Sequence, residues 1–110
     1  MASNGREVLH KEIGLSAAVT GGSKSLPASS TSFAGILDVR NSAGSGYTVK
    51  IQHSPNGINW FDLGTFVKVA GDGAEILSLS EPIMTQVRTD ISGVAGTCDI
   101  IVDIRYDKRG

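Results

Sequence analysis

The chain predicts an all-β protein, an antiparallel β-sandwich or jelly-roll of about seven to eight short strands. Three observations carry that prediction. Apolar and polar residues alternate with period two in several short segments, the pattern of a strand with one buried face. Turn residues separate these segments, with 14 glycines in 110 residues. No segment carries a sustained apolar period of the helical kind, so no helix is expected.

Taken in order, Met1 to Gly5 is small and polar and is expected to be mobile. Glu7 to Leu15 alternates weakly and reads as a first strand; the alternative, a short helix, lacks a cap and an apolar stripe. Ser16 to Ser32 is rich in Ala, Gly and Ser, with Gly21-Gly22 and Pro27 as breakers, and reads as loop around one short strand. Phe33 to Arg40 is a strand with Phe33, Gly35, Leu37 and Val39 on one face. Asn41 to Gly46 is a Gly-rich connection of hairpin length.

The clearest signal follows. Tyr47, Val49, Ile51 and His53 alternate with Thr48, Lys50, Gln52 and Ser54. Ser54-Pro55-Asn56-Gly57 then supplies turn chemistry in order: Pro presets φ, Asn tolerates the left-handed region, and Gly takes positive φ freely. A second strand begins at Trp60. Thr65 to Ala70 is the next strand, Gly71-Asp72-Gly73 a turn, and Ala74 to Leu79 a further strand that Glu81-Pro82 breaks. Met84 to Ile91 follows, Gly93 to Gly96 turns the chain, and Cys98, Ile100, Val102, Ile104 and Tyr106 alternate with Thr97, Asp99, Asp103 and Arg105.

These elements predict one domain: an N-terminal arm and loop-rich segment (1–32), a sandwich (33–106) and a charged tail (107–110). The expected core is Val49, Ile51, Trp60, Val87, Ile100, Val102 and Ile104. With only one Trp, two Tyr and three Phe, that core is modest, and burying a face between copies adds stability. Trp60 admits two readings, a sugar-stacking platform or a core residue, and the shortage of aromatics favours the core. Phe61 points to the opposite face from Trp60 and is a candidate subunit contact, with Glu7, Leu9, Lys11 and Arg105.

Composition excludes several functions. A net charge of −1 leaves no footprint for nucleic acid or an anionic membrane. One cysteine allows no internal disulfide. No apolar run approaches membrane-spanning length, and no signal-peptide pattern opens the chain, so no secretion is expected. Gly21-Gly-Ser-Lys-Ser25 lacks the Walker spacing and a following helix. His10 and His53 have no companions at zinc spacing, and Cys98 reads as a small core residue. Asp99 and Asp103 share one face of one strand, where a solvated outer face is the plain reading; paired catalytic carboxylates need a cleft. No enzyme, cofactor or metal site is expected.

Val49 to Leu63, with its alternating apolar residues, Gln52-His-Ser54, Asn56-Gly57 and Trp60, resembles a hairpin in small β-sandwich proteins of tailed-phage virions. Gln86 to Gly93 and the closing strand Ile100 to Tyr106 are similar to elements of the same proteins. Among them the likeness is greatest to capsid cement or decoration proteins, over about residues 33–106. The resemblance implies a virion structural protein, made in the host cytoplasm and placed on the capsid surface. It further implies a homotrimer whose partner is the major capsid protein. A carbohydrate-binding module or a tail or fibre attachment module is the alternative.

Overall fold

In the computed structural model, residues 2–25, 31–66, 71–79 and 85–109 are described, with 2–5, 31–33, 44–45 and 107–109 described by their backbone alone. The strands are β1 (Ala2–Leu15), β2 (Val19–Thr20), β3 (Lys24–Ser25), β4 (Thr31–Ser54), β5 (Phe61–Thr65), β6 (Gly73–Ser78) and β7 (Gln86–Arg109). All pairings are antiparallel, and no helix occurs among the described residues. The predicted all-β class is the observed one.

Two strands of 24 residues, β4 and β7, organise the sheet. They pair from Thr31↔Asp107 to Ser54↔Gln86, with register shifts between Arg40 and Thr48. On one side of the shifts the order is β6-β4-β7-β1; on the other, β5 flanks β4 while β2 and β3 flank β7. The ribbon folds over at the shifts, so each long strand serves both layers.

The inward rows of the two layers fill the space between them. Leu37, Val39, Ile100, Val102 and Ile104 come from the first layer; Val49, Ile51, Val87 and Ile91 come from the second. Clearance is small. A Cβ on Gly35 in the first layer would lie 2.7 Å from Ile51 Cδ1 and 3.2 Å from Phe66 Cζ. Glycine at 35 is what lets the layers close at this point.

Polar bonds pin the fold-over. Asn41, at φ 52°, tolerates the left-handed region as Asn does. Its side-chain Nδ2 donates to Asp99 Oδ2 (2.8 Å), and Gly14 N donates to Asp99 Oδ1 (2.9 Å). These bonds, Asn41's first, hold the Asp99 carboxyl below its ordinary range. Ser42 donates through both N (2.8 Å) and Oγ (2.6 Å) to Asp72 Oδ1.

Several expectations need correction. Asn41–Gly46 and Gly93–Gly96 are bends within continuous strands, because Ala43↔Thr97 and Gly46↔Ala95 keep the ladder running across the corner. A Gly-rich stretch looks the same in sequence whether the chain reverses or merely bends. The described residues of the expected N-terminal arm are part of the sheet: β2 and β3 pair with β7, and β1 lies against β7 from Ala2↔Arg109 to Leu15↔Cys98. The same pairing draws Asp107–Arg109 of the expected tail into the sheet. Residues 67–70 of the strand expected from Thr65, the Pro27 breaker, the Glu81-Pro82 break and Met84 lie outside the described residues.

Candidate docking surface

The outer face of the β6-β4-β7-β1 layer is the most unusual surface among the described residues. One transverse row across it reads Ile76, Ile36, Asp103, Val8. The next reads Ala74, Asp38, Ile101, Lys11. A solvated sheet face is expected to be polar, yet Ile76 is 70% exposed, and on the same layer's rim Ile13 is 80% exposed. Beside Ile13 a shallow depression of about 290 Å³ is lined chiefly by Lys11, Asp38, Arg40, Asp99 and Ile101.

Charges of both signs interleave with these isoleucines. Arg6 Nε donates to Asp103 Oδ2 at 2.6 Å, Arg105 Nη2 lies 3.8 Å from the same oxygen, and Arg40 Nη2 lies 3.4 Å from Asp38 Oδ2. Asp103 is only 4% exposed although it faces outward. The hydrogen bond from Arg6, and then the charge of Asp103, raise the guanidinium's already high pKa. The carboxylate is a structural anchor tying β1 to β7.

The residues singled out in sequence are distributed unevenly. Val49, Ile51, Val87, Ile100, Val102 and Ile104 lie in the core. Trp60 does not, which corrects the core reading: it is half-buried on the outer face of the other layer. Arg88 stacks over its ring, 4.1 Å from the centroid. Arg88 Nε donates to Gln52 Oε1 (2.9 Å), and Gln52 Nε2 donates to Asp62 Oδ1 (2.9 Å). The Gln52 bond is the main cause of Asp62's lowered pKa. One face of the ring is thus occupied by a guanidinium. Trp60→Ala is accordingly expected to cost about 0.5–2 kcal/mol, the scale of one cation–π contact, in a thermal melt, and not the roughly 3–5 kcal/mol of a lost core aromatic.

Leu9 also moves. A register shift between Val8 and His10 turns it into the core, where it is 2% exposed. It is therefore no interface residue. Lys11 and Arg105 belong to the outer face just described, and Glu7 is half-buried opposite Ile104. Phe61 is 52% exposed beside His53. The structure does not gather the five into one patch.

Two signals for the outer row were present in sequence. Ile36 falls between the inward residues Gly35 and Leu37, and Ile101 interrupts the polar set Thr97, Asp99, Asp103, Arg105. Both are apolar residues at solvent-facing positions of the alternation. Ile76 carries no such mark, since its strand has no polar partner row.

The remaining reactive groups are engaged structurally. Cys98 is buried, and that burial, with Asp99 second, pushes its thiol pKa up. Tyr47 donates its hydroxyl to Gly71 O (3.2 Å), and burial above all pushes its phenol up to about 12. His10 Nε2 lies 2.9 Å from Glu12 Oε1. No group of three or more potential metal ligands occurs among the described residues.

No family model matches this chain, and no curated protein matches it. A solved structure does. The chain is similar to one in the structure of infectious bursal disease virus, Gx strain, with a TM-score of 0.56 and 15% identity over 96% of its length. It spans 32% of that longer chain. At this identity the likeness is one of fold: an antiparallel β fold that also occurs within a protein of a virus.

Proposed function

We propose that the protein is a virion structural component, a capsid decoration or cement protein that bridges capsid subunits and assembles as a homotrimer. The observation that carries this reading is the outer face with its exposed Ile76 and Ile13. Isoleucines exposed on a sheet face where polar residues are expected support a contact surface. The occupant we assign to it is a second copy of this chain. Arg6, Lys11, Arg40 and Arg105 alternate there with Asp38, Asp99 and Asp103, so a strongly charged partner of either sign meets repulsion, whereas a mixed-sign surface on a neighbouring copy complements it, in the heterologous contact that a three-fold ring repeats. The fold shared with a chain of a virus structure supports a virion setting, and the phage-hairpin resemblance supports the finer role.

Contact with the major capsid protein is then left to the other faces, including exposed Phe61 and Ile58. Co-sedimentation with heads lacking the protein tests the role. Saturable binding is expected, and binding should weaken for Phe61→Ser. No binding to heads, with retention on a glycan array instead, would favour the attachment-module alternative.

A further inference from the structure

The turn joining β4 to β5 contains an Asn-Gly pair, Asn56-Gly57, whose residues are exposed. Asn-Gly is the dipeptide in which a backbone nitrogen most readily attacks the preceding side-chain amide, because glycine offers no Cβ to obstruct it. Here a Cβ on Gly57 would meet nothing within 4 Å, so solvent has access.

Electrophile and nucleophile are treated differently by the surrounding bonds. Asn56 Oδ1 accepts from Ile58 N (2.9 Å) and Asn59 N (3.0 Å), and the Ser54 hydroxyl donates to it at 3.1 Å. Donors on a carbonyl oxygen stabilise the oxyanion that forms when its carbon is attacked. The nucleophile is restrained: Gly57 N donates to Ser54 Oγ at 2.9 Å, and Asn56 N donates to the same oxygen at 3.2 Å. Ser54 is itself fully buried, so this oxygen is a fixed acceptor.

We propose that Asn56 is a deamidation site whose reaction the fold holds in check: the Ser54 hydroxyl latches the Gly57 nitrogen that must attack, and this outweighs the polarising Ile58 and Asn59 amides. When the latch opens, Gly57 N gives its proton to solvent base and bonds to Asn56 Cγ. The tetrahedral oxyanion collapses as the leaving nitrogen takes a proton from solvent, the Cγ–NH2 bond breaks and ammonia leaves, closing a succinimide. Water opens either imide carbonyl, yielding aspartate or isoaspartate at 56. The isoaspartate form carries an extra methylene in the backbone between strand β4 and the Trp60–Arg88 stack.

The test is incubation at pH 8 followed by peptide mass spectrometry, with isoaspartyl peptides separated chromatographically. The peptide containing Asn56 is read apart from the chain's other Asn-Gly pair, Asn4-Gly5, which lies within β1. Folded wild type should deamidate at Asn56 at least about fivefold more slowly than the urea-denatured chain, the factor carried by one hydrogen bond. Ser54→Ala, checked by melting to be folded, should lose most of that protection, and Ser54→Thr, which keeps the hydroxyl, should retain it. A native rate equal to or above that of the denatured wild type overturns the proposal without any variant. A folded Ser54→Ala that deamidates no faster than wild type overturns the role of Ser54.

Discussion

Removing residues 1–11 is expected to unfold the protein. The segment looks dispensable in sequence, but it supplies most of β1, which covers the flank of β7 from Gly5↔Tyr106 to Lys11↔Ile101. It also supplies Leu9, 2% exposed in the core, and Arg6, whose guanidinium bonds the buried Asp103. Deleting a buried leucine side chain alone costs about 2–5 kcal/mol, within a total stability of roughly 5–15 kcal/mol for a domain. Adding the lost ladder and the stranded Asp103 carboxylate takes the sum past what a small core sustains. Circular dichroism should show loss of the sheet signal, or a melting transition displaced far downward. A truncated form that melts with the full-length protein would mean that β1 is an accessory.

The second large effect concerns the contact between layers. Ile51 is fully buried, and its Cδ1 occupies the space directly over Gly35. Ile51→Ala should cost about 2–5 kcal/mol and Ile51→Val about 0.5–1.5 kcal/mol. Gly35→Ala forces a Cβ against Ile51 Cδ1 and should cost about 1–3 kcal/mol by overpacking. The double variant Gly35→Ala/Ile51→Val removes the methyl that clashes. Its destabilisation in urea should therefore be less than the sum of the singles. Simple additivity would show that the layers do not meet at this point.

Much of this fold was legible from alternation alone. The row Tyr47, Val49, Ile51, His53 and the row Cys98, Ile100, Val102, Ile104, Tyr106 are inward in the structure as in the sequence, because a period of two admits only two assignments and burial chooses between them. What alternation cannot tell is whether a Gly-rich gap reverses the chain. Asn41–Gly46 and Gly93–Gly96 bend without reversing since each is the other's partner across the ladder, a fact about two segments far apart. The shortage of aromatics favours burial of Trp60, whereas the partner that holds it at the surface, Arg88, is remote in sequence. Leu9 was misplaced by the register shift beside it, which breaks the parity on which the face assignment rested. The outer isoleucines were visible, but as single exceptions; only the register aligns Ile76 and Ile36 into a row.

Assembly through that row is the claim on which the functional reading depends, and light scattering on the purified protein tests it most directly. A mass about three times the 11.5 kDa chain is expected, as for a closed symmetric homo-oligomer, and a monomer for Ile76→Asp, which places a charge on the 70% exposed isoleucine at the edge-strand end of the row without touching the core. Wild type at 11.5 kDa over the whole micromolar range, or an Ile76→Asp variant that remains oligomeric, would contradict it.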